Sequence, residues 1–291
     1  MDKVVVTGGA GFMGSHTADE LTRRGYHVLV FDQTESPWLH SDQEMMIGDV
    51  LDPKSLAMAM KGARYVYHFA GIADIEESRS RPVETMNLNV MGASLVVEAA
   101  RQSGVERVIF ASTMYVYSPF GSFYRASKQA AETIIEAYQQ EYALDYTFLR
   151  YGSLYGPRAQ DWNGLRKYVQ QVVEGGQITY AGTGEEKREY IHVYDAARLS
   201  VDVLDDKHRN RAITVTGSQI LSSKEMMDLI FEIAGKKSDI VLTDTDRKGY
   251  HYNLTPYRYT PKQAFKLVPS EFIDIGQGVL ELVKELHEES Q

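Results

Sequence analysis

The chain has 291 residues, 43% of them hydrophobic and 24% charged, which suits a soluble protein with one large α/β domain or two modest ones. Its formal charge of −9 argues against a basic footprint for nucleic acid or anionic membrane, and the lack of cysteine excludes disulfides, thiolate metal sites and cysteine nucleophiles. No apolar run approaches the roughly 20 residues that span a bilayer, and the start MDKVVVTGG lacks the basic-then-apolar layout of a signal peptide, so a cytoplasmic protein without a metal centre is expected.

The first apolar run, Lys3–Thr7, reads as a strand and leads into TGGAGFMGS, with Gly8, Gly11 and Gly14 at three-residue intervals before a helical pattern over Ser15–Arg24. A tight strand-to-helix turn needs positive φ and close backbone approach, and the helix start offers free N–H groups to a pyrophosphate. Strand, glycine turn and helix in that order are the context that makes the glycine spacing a dinucleotide signal. A second strand, His27–Phe31, delivers Asp32 about 20 residues beyond the glycines. A carboxylate there accepts from both adenosine ribose hydroxyls and repels a 2′-phosphate, which favours NAD over NADP. Asp49 in IGDV follows the next strand; it suits either a bond to the adenine amino group or a simple turn before Pro53.

Further strands are expected at Tyr65–Phe69, Arg107–Ala111 and Tyr146–Arg150, with a helix over Leu88–Gln102. Strands alternating with helices predict a Rossmann-type, doubly wound parallel sheet. The pattern weakens after about Tyr151. Residues 1–155 therefore read as a dinucleotide-binding domain, and 156–291 mainly as a smaller substrate lobe with some segments returning to the first domain.

The stretch STMYVYSPFGSFYRASK holds Tyr124 and Lys128 four apart, hence on one helical face. A phenol of ordinary pKa is a poor base at neutral pH, and a neighbouring ammonium stabilises its phenolate. Bringing the phenol to ~7 requires about 4 kcal/mol of differential stabilisation. Thr113 or Ser112, at the end of the preceding strand, can bond the same substrate oxygen. Tyr115 and Tyr117 alternate along YVY, read as strand, and fit core packing or pocket lining equally. His192 in IHVYD reads as a structural histidine bonded to backbone rather than a catalyst.

Together these residues resemble an extended short-chain dehydrogenase/reductase of the nucleotide-sugar epimerase and dehydratase family, over almost the whole chain. GGAGFMG is similar to its G-x-x-G-x-x-G turn, HFAG (His68–Gly71) to its fourth-strand motif, NLNVMGA to its N-x-x-G helix, and YRASK supplies Tyr and Lys. The resemblance implies Thr113, Tyr124 and Lys128 as catalytic residues. It implies cofactor contacts from Gly8, Gly11, Phe12, Met13, Gly14, Asp32, Asp49, Val50, Phe69, Ala70, Gly71, Asn89, Ser112, Tyr124 and Lys128. LRYGSLYGPR resembles the substrate-side segment after the sixth strand, placing Ser153 where the family usually has Asn. KREYIHVYDAAR and RKGY resemble its diphosphate-binding segments, so Arg188 and Arg247, with Thr113, Tyr124 and Ser153, are the expected substrate contacts. Paired arginines meet phosphate oxygens bidentately, which makes a nucleotide sugar the expected substrate.

Departures from the family narrow the activity. Met114 and Tyr115 stand where its 4,6-dehydratases carry an Asp-Glu pair, and the carboxylate of its decarboxylases is also missing. The link from Thr113 to Tyr124 is shorter than usual. The leading expectation is an NAD-dependent epimerase acting through a keto sugar. The alternatives are a net dehydrogenase or reductase of a sugar, sugar acid or other carbonyl compound, and, from another class, a non-catalytic NAD-binding regulatory protein. The resemblance also implies a homodimer formed through the Leu88–Ala100 helix and the helix bearing Ala131, Ile134, Ile135, Tyr138 and Tyr142.

Overall fold

A computed structural model describes residues 1–243, 251 and 253–258. In chain order the elements are β1 (Lys3–Thr7), α1 (Phe12–Arg23), β2 (His27–Asp32), β3 (Gln43–Ile47), α2 (Pro53–Met60), β4 (Ala63–His68), α3 (Ile75–Ser80), α4 (Pro82–Met86), α5 (Gly92–Gln102), β5 (Arg107–Thr113), α6 (Ser122–Tyr142) and β6 (Asp145–Tyr151). They continue with β7 (Ser153–Tyr155), α7 (Gly164–Gly175), β8 (Ile178–Ala181), β9 (Lys187–His192), α8 (Val193–Asp202), β10 (Arg211–Val215), β11 (Ile220–Ser222), α9 (Ser223–Ile233) and β12 (Ile240–Thr243).

Seven strands form one sheet in the order β10-β6-β5-β4-β1-β2-β3, and each pairing is parallel. The chain thus runs outward from β1 to β3, returns to β4 on the other side, and runs outward again. The order reverses between β1 and β4, the crevice where doubly wound sheets bind ligands. Alternate residues of each strand face opposite layers. Val4, Val6, Val28, Val30 and Tyr67 pack with residues of α1 and α8, whereas Val5, Leu29, Phe31 and Val66 pack with residues of α2, α5 and α6. Both faces are buried, which is why these strands read as continuous apolar runs.

Smaller sheets follow β6. One is three-stranded, β11-β9-β7, and the other pairs β12 with β8. Val172, Ile178, Tyr180, Met226, Met227, Ile230 and Phe231 form their separate core. β10 leaves this region and joins the large sheet beside β6.

Several boundaries differ from the sequence-based expectation. Helix α1 starts at Phe12, three residues before Ser15, because Gly11 already serves as its N-cap. The helix expected over Leu88–Gln102 has a π-helical turn at Asn87–Met91 before α5. YVY is not strand: Met114–Tyr117 form a 3₁₀ turn. The Thr113 hydroxyl accepts from the Tyr115 N–H at 3.2 Å and ends the strand there. No described helix is long and apolar enough to cross a membrane.

Candidate active site

A cavity of about 890 Å³ lies along the carboxyl ends of β1, β2, β4, β5 and β6 and extends between the small sheets. At its first end is the glycine turn. Gly8 has φ +72°, and a Cβ there would stand 2.4 Å from the Ala70 nitrogen. A Cβ on Gly14 would stand 2.2 Å from the Gly8 carbonyl oxygen. Only glycine permits this closeness. Gly11 caps α1 without a side-chain bond, so the first amides of that helix remain open toward the cavity, as a diphosphate requires. Asp32, at the end of β2, accepts from the Ala10 N–H through Oδ2 at 3.0 Å and lines the cavity. A bare backbone cradle with a carboxylate at the second strand end fits NAD.

Gly8, Gly11, Phe12, Met13, Gly14, Asp32, Val50, Phe69, Ala70, Gly71, Ser112, Thr113, Tyr124, Lys128, Ser153 and Arg188 all line the cavity. Two of the expected contacts do not. Asp49 lies between the lining residues Gly48 and Val50, and its Oδ1 accepts from the Leu51 N–H at 2.8 Å. Through that oxygen it holds the turn leading to α2. Asn89 is buried behind the wall at 2% exposure. Its Oδ1 accepts from the Ile72 N–H at 2.8 Å, and its Nδ2 donates to Ile72 O and to Ser127 Oγ, both at 2.9 Å. Ser127 in turn donates to Tyr124 O at 2.8 Å. Asn89 therefore ties the Gly71–Ile72 loop to the turn of α6 that carries Tyr124. The π-helical turn places it there. Arg247 lies outside the described residues.

Tyr124 and Lys128 occupy successive turns of α6, and the ammonium lies 6.0 Å from the centre of the Tyr124 ring. Lys128 is 5% exposed. Its Nζ donates to Ala111 O at 2.8 Å and lies 4.7 Å from the centre of the Phe110 ring. Burial pulls its pKa down to about 8, against the charge of Glu132, which raises it. An ammonium so poor in solvent acts strongly on a neighbouring phenol. Behind it His68 is fully buried, its Nδ1 sharing a 2.7 Å bond with Thr7 Oγ1. Burial and the Lys128 charge lower the pKa of His68 to about 3, so the imidazole is neutral.

Ser112 and Thr113 are both buried at the end of β5. Ser112 Oγ donates to Glu132 Oε1 at 2.5 Å. Glu132 also takes Arg150 in a two-pronged pair, Nε to Oε1 at 3.0 Å and Nη2 to Oε2 at 2.6 Å, while Arg150 Nη1 donates to the Tyr117 hydroxyl. Sequence reasoning misses Glu132, although the spacing Tyr124, Lys128, Glu132 repeats the same four-residue interval and offers a signal. His251, also on the cavity wall, has none: it arrives from far along the chain. His192 caps α8, its Nδ1 accepting from the Tyr194 N–H at 3.3 Å, and does not line the cavity.

On the far side, Ser153 (β7) and Arg188 (β9) face the cavity with Tyr180 and Glu186. The Tyr180 hydroxyl donates to Glu186 Oε2 at 3.0 Å and lies 2.9 Å from Ser223 Oγ. Among the described residues no cluster of three or more His, Asp or Glu could hold a metal ion.

A phenol, an ammonium and a hydroxyl grouped at a dinucleotide cradle define an NAD-dependent oxidoreductase-type centre for an alcohol or ketone. Residues 4–216 match the family model "NAD dependent epimerase/dehydratase family", and the chain belongs to that family. It is 28% identical over 266 residues to a UDP-N-acetyl-alpha-D-glucosaminuronate decarboxylase of Bacillus cytotoxicus, covering 82% of each chain. It is 27% identical to a putative UDP-glucose 4-epimerase of Methanocaldococcus jannaschii, covering 96% of this chain and 97% of the other. The structure of the UDP-glucose 4-epimerase of Thermus thermophilus in complex with NAD superposes with a TM-score of 0.78 at 26% identity, covering 89% of this chain and 90% of that one.

Proposed function

We propose that this chain is an NAD-dependent epimerase of a nucleotide-diphosphate sugar. The observation that carries the reading is the content of the site beside Tyr124. Lys128 and Thr113 are there, but the stretch from Thr113 to Tyr124, TMYVYSPFGSFY, contains no carboxylate. A phenol tuned by an ammonium can move the proton of a sugar hydroxyl in both directions; elimination or decarboxylation would call for a further acid or base.

In this reading Gly8, Gly11, Phe12, Met13 and Gly14 bind the pyrophosphate side of NAD, Asp32 the adenosine ribose, and Val50, Phe69, Ala70, Gly71 and Ser112 the remaining wall. Bound NAD supplies an acceptor that holds the sugar's hydride and returns it. Tyr124 takes the hydroxyl proton and later gives it back, Lys128 stabilises the phenolate, and Thr113 bonds the same sugar oxygen. Arg188 meets the diphosphate and Ser153 a sugar hydroxyl. Residues 1–155 then hold the cofactor and the region from 156 onward holds most of the substrate, with β10 belonging to the cofactor sheet. We assign the protein to the cytoplasm, which suits its lack of cysteine, and infer a homodimer through α5 and α6, which light scattering at micromolar concentration tests.

The deciding experiment incubates the protein with UDP-sugars and NAD. Isomerised sugar with no net NADH is expected. Stoichiometric NADH would instead establish the dehydrogenase reading, which the short Thr113–Tyr124 link favours because a keto sugar is better retained under a close lid. Tight NAD binding without turnover on any nucleotide sugar would leave a regulatory protein.

A further inference from the structure

Tyr115 stands in the cavity wall beside Tyr124 and has no role in the reading above. Its ring meets the Tyr124 ring edge-on, with centroids 6.3 Å apart and planes at 72°. On its other side it meets the His251 ring at 6.1 Å and 65°. The Tyr115 hydroxyl and His251 Nδ1 share a hydrogen bond of 2.6 Å.

The chain makes room for this ring and holds it. Gly121 has φ +99°, and a Cβ there would stand 2.7 Å from Tyr115 Cδ1. Thr113 caps the turn by accepting from the Tyr115 N–H. Met114 and Val116, on either side, are buried. Helix α6 fastens the same turn from outside, Gln129 donating to Val116 O at 2.7 Å and Arg125 to Ser118 O at 3.0 Å. The His251 bond then joins this turn to a segment 136 residues later. A second phenol is thus fixed next to the reacting one, by contacts from α6 and from His251.

We propose that Tyr115, oriented by His251, is a positioning residue that holds the sugar over Tyr124 while it is a ketone; the proposal rests on the epimerase reading. During the reaction the sugar carbinol gives its hydroxyl proton to Tyr124 and its hydride to the cofactor, leaving a ketone and NADH. Return of the hydride to the opposite face of the carbonyl carbon, with the proton passing back from Tyr124 to the oxygen, would yield the epimer. Between the two transfers the ketone has lost the hydroxyl proton it shared with Tyr124 and must turn without leaving. An aromatic ring that packs its face on the apolar C–H groups of a sugar, with a hydroxyl oxygen oriented by His251 and able to accept a further bond, suits that task. If the ketone escapes, NADH remains behind.

The test uses the full NAD-loaded chain with UDP-glucose, and the variants Tyr115→Phe, His251→Phe and the double variant. Calorimetry compares UDP-glucose with UDP. Kinetics follow kcat, KM and the absorbance of reduced nicotinamide that builds up per turnover. Tyr115→Phe is expected to bind UDP as the unmodified chain does, to lose about 10-fold in the added affinity that glucose gives, and to accumulate NADH. The double variant should be no worse than the more affected single variant, since the two residues act as a unit. Turnover of Tyr115→Phe without accumulated NADH, or losses in the double variant equal to the product of the single ones, would overturn the proposal. If the unmodified chain turns over no nucleotide sugar, the functional reading fails. The positioning role then stands or falls on whether Tyr115→Phe still loses the glucose-dependent affinity.

Discussion

Lys128 on α6 donates its ammonium to the carbonyl oxygen of Ala111 on β5 at 2.8 Å, so the charged side chain of the helix is bolted to the end of the strand that carries Ser112 and Thr113. That bond fixes the ammonium near the Tyr124 ring, with no carboxylate among the described residues paired to it. Its charge stays available to the phenol.

Burial lowers the Lys128 pKa to about 8 from 10.5, which gives stability a definite pH dependence. Below pH 8 the lysine is charged in both folded and unfolded chains and the burial penalty is fully felt. Between pH 8 and 10.5 the unfolded chain binds more protons than the folded one, so stability rises with pH. The difference in unfolding free energy between the unmodified chain and Lys128→Met should therefore change by about 3 kcal/mol across that window, in favour of the unmodified chain. Denaturant titrations at stepped pH measure it; a constant difference would contradict the burial of a charged lysine.

Tyr124→Phe removes one oxygen and keeps the ring against Tyr115. The variant should fold, still bind NAD and lose roughly 10²- to 10⁴-fold in kcat. Turnover near that of the unmodified chain would remove Tyr124 from the chemistry.

Gly14→Ala forces a methyl to within 2.2 Å of the Gly8 carbonyl oxygen, which is backbone and gives way only if the turn moves. A cost of about 1–3 kcal/mol is expected, together with loss of the rise in melting temperature that NAD produces in the unmodified chain. Thermal melts with and without NAD read both effects. A preserved NAD-dependent rise would show that the turn is not the cofactor cradle.

Glu132→Gln withdraws the charge that Arg150 pairs with through two bonds. Both side chains are largely buried, Arg150 at 15% and Glu132 at 9% exposure, so a loss of about 3 kcal/mol is expected. Because Glu132 also raises the Lys128 pKa, the rise in stability described above should begin at lower pH in this variant. Chemical denaturation across pH tests both points at once.

The sheet was legible because its strands are buried on both faces: Val4, Val5 and Val6 are all fully buried and leave a run that needs no partner to be seen. The glycine turn was legible for the same local reason, since its demands are met within a few residues. What sequence could not reveal was set by distant partners. Asn89 is drawn to Ile72 and Ser127 rather than to the cavity, and the π-helical turn that aims it has no mark in NLNVM. Tyr115 reads as strand until the Thr113 hydroxyl captures its N–H. Asp49 suits a turn and a cofactor contact equally in sequence, and its Oδ1 accepts from the Leu51 N–H.

The three-stranded sheet sets how the far wall of the cavity is joined to the large sheet. β6 passes to β7 through Gly152 alone, β9 runs straight into α8, and β10 is followed after four residues by β11. These crossings lie side by side because β11, β9 and β7 are neighbours in one ladder, and the Gly152 N–H donates to Val215 O at 3.0 Å across two of them. Among the described residues the far wall is therefore joined to the large sheet along a broad seam of three crossings. Amide protons along that seam should exchange slowly even while those of the cavity rim exchange fast.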